Sequence, residues 1–440
     1  MALSTQPYKG ARDFYPEDKR LQKYMFMIMR RVAERFGYEE YDAPILEPLE
    51  LYLAKTGDEI VNEQTYTFED RGGRKVAIRP EMTPTVSRMV AGKRQELAYP
   101  VRWYSIPNLW RYERPQRGRL REHWQLNVDI FGVENHLAEA EIIQVADGIL
   151  KQFGATHDMY TVRVNHRKLM DFIFKEYLRL DSVQTHMVAK LIDRMHKMPH
   201  DAFAAEAEAI FTPSQREAGA SNKLIGLMKI RSLEHLPEII RQSSPALELK
   251  ELLHVLKEAR IPNARFDITV MRGFDYYTGI VFEIFDEDPE NNRSMLGGGR
   301  YDGLVGLFGV EPLPTVGFGL GDVTLQNFLT GHGLMPAIRP ETDVYVILIG
   351  NVYAEAQKVI DDMRDMGVNV AVDVSGAKTD KQIKTAVKKG IHYVMFIGEK
   401  ELKEEQYEIK NLVTGAQERH STARIVSIVK DYRGEIRDER

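Results

Sequence analysis

Residues 104–131 read YSIPNLWRYERPQRGRLREHWQLNVDIF. Two apolar-rich runs, at 104–112 and 124–131, read as strands, and the basic stretch 113–123 reads as the loop between them. Strand, loop, strand without an intervening helix is antiparallel grammar, not βαβ. Working back toward the N-terminus, EDRGGR at 69–74 reads as a hairpin turn before a strand at 76–79. Earlier still, Leu21, Tyr24, Met25, Ile28, Val32 and Phe36 recur at helical spacing and stop at Gly37. Then YEEYDAPILEP at 38–48 turns strand-like around Pro44, which lacks a ladder donor and suits an edge, a bulge or a partner-facing strand.

Toward the C-terminus, 137–153 reads as helix, and about 170–255 as helix-rich with a polar break at 213–222. Strands resume at 266–270 and 280–285, so the helical block reads as inserted into a β-rich domain. PAIRPE at 336–341 reads as a linker. Beyond it, strands at 344–349, 369–373 and 393–397 alternate with helices at 353–366 and 379–389. That alternation predicts a small α/β domain with a largely parallel sheet.

Composition narrows the classes. The 440 residues are 43% hydrophobic and 28% charged, enough for two or three packed domains. With no cysteine, thiolate catalysis, Cys-ligated zinc and iron–sulfur clusters are excluded. The apolar runs are strand length, far short of the roughly 20 residues of a membrane-spanning helix. The first residues carry no apolar stretch of signal-peptide length, so the expected setting is cytoplasmic, without membrane contact. Net charge is −5, from 60 Lys and Arg against 65 Asp and Glu, so any nucleic-acid contact must come from local clusters.

Four stretches carry polar chemistry. RYERPQRGRLR at 111–121 holds five arginines in eleven residues, suited to a bidentate grip on phosphate or, more plainly, to a basic surface hairpin. Glu113 and Gln125 add acceptors of the kind that read an amino group or a base edge. RPEMTP at 79–84 sets Glu81 and Thr83 where they can accept from an ammonium, or simply starts a helix. RGFDYYTG at 272–279 sets Arg272 before a glycine and Tyr276 and Tyr277 between two glycines, and a core tyrosine pair is the plainer reading. LGGGRYDG at 296–303 permits close backbone approach to a ligand, but lacks the ending of a P-loop. GFGLG at 317–321 is not GxGxxG, which argues against a dinucleotide fold. No metal-ligand set is expected: His196 and His200 lack an HExxH acid, and Pro199 interrupts their helix.

Taken together, these stretches resemble the class II aminoacyl-tRNA synthetases, and within them the histidyl-tRNA synthetase family, over nearly the whole chain. Residues 38–48 resemble the first class II motif and 111–132 the second. RGFDYYTGIVFE at 272–283 and LGGGRYDGL at 296–304 resemble the two histidine-specific motifs. The resemblance implies an α+β fold: a class II antiparallel-sheet catalytic domain from 1–169 and 256–332, a helical insertion at 170–255, and an anticodon-binding-like α/β domain at 340–440. It implies a ligase that makes histidyl-adenylate from histidine and ATP with Mg²⁺, then charges tRNA-His, as a homodimer paired around Pro44.

By the same resemblance, Glu81, Thr83 and Gln125 hold the α-amino group of histidine, while Asp129, Tyr276 and Tyr277 belong to the imidazole site. Arg111 and Arg272 take the α-phosphate as catalytic groups, and Glu113 the adenine. Lys378, Lys381, Lys384, Lys388 and Lys389, at helical spacing, form a phosphate-facing stripe or a solvated face. The chain departs from the family twice. Asp129 stands where glutamate is usual, and Thr324 where an arginine stacks on adenine, removing a contact of about 0.5–2 kcal/mol. These departures motivate one alternative, a catalytically silent, histidine-sensing regulatory subunit.

Overall fold

The computed structural model describes residues 3–53, 64–116, 118–195, 198–271, 277–291 and 293–438. The chain forms two compact units: Met1–Asp13 with Gln22–Met335, and Phe14–Leu21 with Pro336–Arg440.

The first unit is built on a nine-stranded sheet. Its strands are β1 (Glu39–Glu40), β5 (Val101–Ser105), β6 (Asn108–Trp110), β7 (Glu122–Phe131), β8 (Tyr160–His166), β9 (Ala264–Phe266), β10 (Ile280–Asp286), β11 (Ser294–Arg300) and β12 (Thr315–Gly321). The order is β1-β5-β7-β12-β11-β10-β8-β9, antiparallel except for the two outermost pairs, and β6 continues alongside β7. A separate three-stranded sheet, β2-β4-β3, joins Leu46–Pro48, Lys75–Ile78 and Thr67–Glu69. The strand–loop–strand reading of 104–131 is therefore correct, except that the first run splits into β5 and β6 around Ile106 and Pro107. Residues 38–48 likewise form two short strands flanking Pro44 rather than one.

Helix Leu137–Gln152 buries ten residues, among them Ile142, Val145, Ile149 and the charged Glu139, against β7 and β12. Helix Thr83–Gly92 sends Val86 and Val90 into a cluster with Tyr41, Met82, Leu109 and Phe131. That packing fixes residues 79–83 over the sheet. Between the sheet's β8 and β9, the described residues of 170–255 contain helices and no strand. Two of these helices open on capping boxes, Asp181 with Gln184 and Thr212 with Gln215. The expected polar break at 213–222 is instead helical: Thr212 and Pro213 start Pro213–Glu217, and Gly219 at φ 74° links it to Ala220–Met228. The expected strand at 266–270 ends at Phe266, because Asp267 Oδ1 accepts from Thr269 N and Oγ1 and bends the chain.

The second unit holds a five-stranded sheet, β14-β13-β15-β16-β17, of Val370–Val372, Val344–Ile349, Tyr393–Gly398, Tyr407–Asn411 and Gln417–His420. Its first three strands are parallel and its last two antiparallel, so "largely parallel" holds only for the part with intervening helices. Alternate residues of β13 enter two cores: Val344 and Val346 pack with Ile360 and Ile425, Tyr345 and Ile347 with Ala386 and Phe396.

Glycine controls the middle of the large sheet. Opposite Asp129 in the register stands Gly317, and opposite Asn127 stands Gly319. A Cβ at Gly317 would overlap Asp129 Oδ1 and lie 2.8 Å from the Val128 carbonyl. A Cβ at Gly319 would lie 2.8 Å from Gln125 Cδ, and one at Gly298 would meet Gly317 O. The Val128 and Gly317 carbonyls belong to paired strands and cannot retreat from such contacts. Gly317→Ala should therefore destabilise the protein by about 1–3 kcal/mol, whereas Gly303→Ala, with nothing within 4 Å of its Cβ, should not. Urea unfolding of the two variants checks this; equal midpoints would contradict it.

Candidate functional site

Strand β7 supplies one wall. Residues of the same parity share a face of a strand, so His123, Gln125, Asn127 and Asp129 look the same way. The glycines of β11 and β12 leave the neighbouring floor free of side chains. A cavity of about 320 Å³ lies over it, lined among others by Arg111, Glu113, Arg119, His123, Gln125 and Thr324. Four of these were singled out from the sequence at positions up to 213 residues apart in the chain.

Arg111 is aimed by its backbone neighbours. Its Nε donates to Pro80 O at 2.9 Å, which ties it to the turn bearing Glu81 and Thr83. Its Nη1 stands 4.0 Å from Glu113 Oε1, and Arg119 Nη1 stands 3.6 Å from Glu113 Oε2. Glu113 thus sits between two guanidinium groups on the loop. Arg79, the first residue of that turn, is 3% exposed and structural: Nε donates to Asn108 O and Nη1 to Ala43 O. Glu81 is buried, and Thr83 is the first helical residue, with no side-chain cap at the preceding Met82. The helix-start reading of Thr83 therefore does not occupy its hydroxyl at the N-cap.

Farther along β7, Asp129 is 4% exposed and accepts a short hydrogen bond from the Tyr301 hydroxyl. Tyr301 packs with Tyr277, Val270, Val281 and Leu304. Gly299 makes room for this group, since a Cβ there would lie 3.1 Å from Tyr277 Cδ1. Burial pushes the Asp129 carboxyl up to about 7, and the Tyr301 hydrogen bond opposes the rise. A carboxyl poised there can meet an imidazole as either acceptor or donor.

Tyr301 is held from behind. Arg300 Nε and Nη2 both donate to Glu139 at 2.7 Å, Nη1 donates to Val133 O, and the Arg300 carbonyl accepts from Thr278 N at 2.8 Å. Burial raises the Glu139 pKa against the Arg300 guanidinium, so this is a costly buried pair with most of its hydrogen-bonding capacity used. Next to the lining residues Gly321 and Val323, Asp322 Oδ2 accepts from Arg12 at 2.6 Å and Oδ1 from Trp124 N. Thr324 Oγ1 donates within the backbone, to Met295 O and Gly321 O.

Arg272 and Tyr276 lie outside the described residues, as does His196; His200 is exposed. Tyr301, Arg119 and His123 were not assigned roles from the sequence. Tyr301 sits inside a quoted motif, and its partner is set by sheet register, which the sequence does not print. No group of three metal-binding side chains occurs among the described residues. Lys378, Lys381, Lys384, Lys388 and Lys389 are all exposed along and beside helix Thr379–Lys388, with Lys389 Nζ 5.5 Å from the Tyr345 ring centre.

The comparisons with known proteins follow the same division. The histidyl-tRNA synthetase family model matches residues 10–323, and an anticodon binding domain model matches 343–432. A histidine--tRNA ligase of Leptospira biflexa is 45% identical over 98% of this chain and 98% of its own. One of Thermoplasma volcanium is 38% identical over 94% of this chain and 96% of its own. The crystal structure of histidyl-tRNA synthetase from Nostoc sp. PCC 7120 superposes with a TM-score of 0.83 at 24% identity, covering 98% of this chain and all of that one, a likeness of fold.

The Asp129 pKa makes a stability prediction. Between about pH 4 and 7 the native carboxyl keeps a proton that the unfolded chain has released, so stability falls as pH rises through that window. Asp129→Asn removes this term. Urea unfolding at pH 4.5 and 7.5 should show the variant gaining on the wild type by an amount on the order of a few kcal/mol. A gap that stays constant with pH would contradict it.

Proposed function

The chain belongs to the histidyl-tRNA synthetase family and is a histidine–tRNA ligase, and we propose that the residues around the β7 cavity divide its activation chemistry as follows. ATP is a substrate, and histidine and tRNA are its other partners. Histidine lies across β7, its imidazole at Asp129 with Tyr277 and Tyr276, its ammonium at Glu81, Thr83 and Gln125. The single observation that carries this reading is the buried Asp129 carboxyl, capped by Tyr301 at the end of a glycine-cleared floor, two positions along the strand face from Gln125.

The reaction has two steps. A carboxylate oxygen of histidine bonds to the α-phosphorus of ATP, and the bond to pyrophosphate breaks. A hydroxyl of the terminal tRNA ribose then takes the aminoacyl group, and AMP leaves. Charge grows on the α-phosphate in the first step, and Arg111 answers it from a fixed direction because Pro80 O already holds its Nε. Arg272 is assigned the same task. Glu113 reads the adenine amino group while its two guanidinium neighbours stay with the phosphates.

Mg²⁺ takes few protein ligands and prefers phosphate oxygens and water, and no three carboxylates converge among the described residues. We therefore assign the ion to the triphosphate, where it would offset charge. The catalytic domain would comprise 1–169 and 256–332, the helical insertion 170–255 and the anticodon-binding domain 340–440, with the exposed lysine stripe toward tRNA phosphate. Exposed Ile45 and Leu46, which follow Pro44 in the chain, support a homodimer. No described helix is long and apolar enough to cross a membrane, and a cytoplasmic setting fits protein synthesis.

The histidine-sensing alternative is not favoured: relatives aligned over 98% and 94% of this chain are histidine--tRNA ligases, and an anticodon binding domain model matches 343–432. Pyrophosphate exchange into ATP tests the proposal. The wild type should exchange with histidine and with no other standard amino acid, and Arg111→Ala should lower exchange by roughly 10²–10³-fold while histidine still binds by calorimetry. Wild-type exchange in Arg111→Ala would remove Arg111 from the chemistry.

A further inference from the structure

Two buried hydroxyls on the sheet face that carries Asp129 have no part in the activation chemistry. Tyr41 and Ser105 are 9% and 1% exposed, and neither hydroxyl has a hydrogen-bond partner among the described residues. A buried polar group left unpaired carries a desolvation cost that nothing in the free protein offsets. Residues directly opposite across antiparallel strands point to the same side, so Trp103 shares a face with Asp129, and Ser105 with Asn127. Tyr41 N donates to Tyr104 O at 2.8 Å, and the Tyr41 ring lies 5.7 Å from that of Trp103. Met82, Val86 and Phe131 complete its packing, which places the phenol beneath the segment that bears Glu81 and Thr83.

Asp129 thus has a phenol on each side. Tyr301 donates to its Oδ1 from the β11 side. Tyr41 stands on the β5 side, and of the charges that bear on its hydroxyl Asp129 weighs most, ahead of Arg79 and Asp42. Arg79 turns its Nε and Nη1 to Asn108 O, Ala43 O and Asp42 instead. Burial first, then the Asp129 charge, hold the Tyr41 pKa well above the usual phenol range, so the group keeps its proton and can donate. Ser105 opposes that rise, as a hydroxyl facing the phenol oxygen does.

We propose that Tyr41 is a positioning residue for histidine selection: with histidine in the site, its hydroxyl donates to Asp129 Oδ2 while Ser105 Oγ donates to the phenol oxygen. This rests on the reading of Asp129 as the imidazole partner. A carboxylate offers about four lone-pair sites. Tyr301 takes one, an imidazole N–H takes a second, and Tyr41 fills a third on the oxygen that Tyr301 leaves open. The carboxyl is then held from both sides, and its plane is fixed toward the ring. Donors on both oxygens also favour the ionised form, which accepts from the imidazole N–H. Tyr41 acts through Asp129 and touches no atom that reacts.

The test uses Tyr41→Phe, which removes one oxygen and keeps the ring, and Ser105→Ala. Because no bond is lost in the free protein, the urea midpoint of Tyr41→Phe should match or exceed that of the wild type. In pyrophosphate exchange its KM for histidine should rise roughly 10- to 100-fold, the factor for one hydrogen bond to a charged group. KM for ATP and kcat should stay within about twofold, as loss of a contact to histidine alone requires. Calorimetry with histidine should show the same loss of affinity, and Ser105→Ala a smaller loss in the same direction. If the wild type binds no histidine, the reading of the site fails and this proposal with it. If it binds histidine and Tyr41→Phe binds equally well, the Tyr41 assignment alone fails. A lowered urea midpoint with parallel rises in both KM values would make the hydroxyl structural and overturn the proposal. Wild-type affinity in Ser105→Ala would overturn the part given to Ser105.

Discussion

The structure depends on one buried contact, the Tyr301 hydroxyl donating to the Asp129 carboxyl. A carboxyl at that depth is tolerable only when hydrogen-bonded, and the bond must be delivered by a strand two positions away in the sheet. Nothing bulkier than glycine can stand between them. Gly317 leaves space for Asp129, Gly299 for the Tyr277 ring, and Gly298 for the backbone of β12. The same clearance that makes the contact possible opens the floor over which small substrates can lie. Packing and binding here are one constraint seen from two sides.

Two anchors keep that contact from relaxing. Behind it, Arg300 spends its guanidinium on Glu139 and the carbonyls of Val133 and Asn135, so the chain enters Tyr301 from a fixed point. In front, Arg79 pins the turn of residues 79–83 to Asn108 and Ala43, and that turn in turn holds Arg111. Each anchor joins segments far apart in the chain. A buried arginine with its donors satisfied acts as a staple, and removing one partner would leave a charge without compensation.

Much of this was legible in the residues. The strands flanking 113–123 show a Pro- and Gly-shaped loop, and residues 344–397 alternate strand and helix in the order observed, whereas the antiparallel strands Tyr407–Asn411 and Gln417–His420 were not read from the sequence. What escaped the sequence depends on tertiary register. Tyr301 lies in a quoted motif, but its role follows from β11, β12 and β7 being adjacent. Arg79, given no role from the sequence, is a staple, because its donors face backbone carbonyls that no linear reading locates. The strand expected at 266–270 fails for a local reason, the Asp267 side chain competing for Thr269. Helix Pro213–Glu217 was hidden by polar composition, although the Thr–Pro start and Gln215 of its capping box stand in plain view.

In the proposed reading, the buried Asp129 carboxyl sets the specificity of the site. The measurement that tests this most directly is aminoacylation of a tRNA-His transcript by the purified protein with ATP and Mg²⁺, each standard amino acid supplied separately. The account predicts that histidine alone becomes esterified to the tRNA end. Histidine that binds yet is never transferred, or an equal yield with a second amino acid, would contradict it.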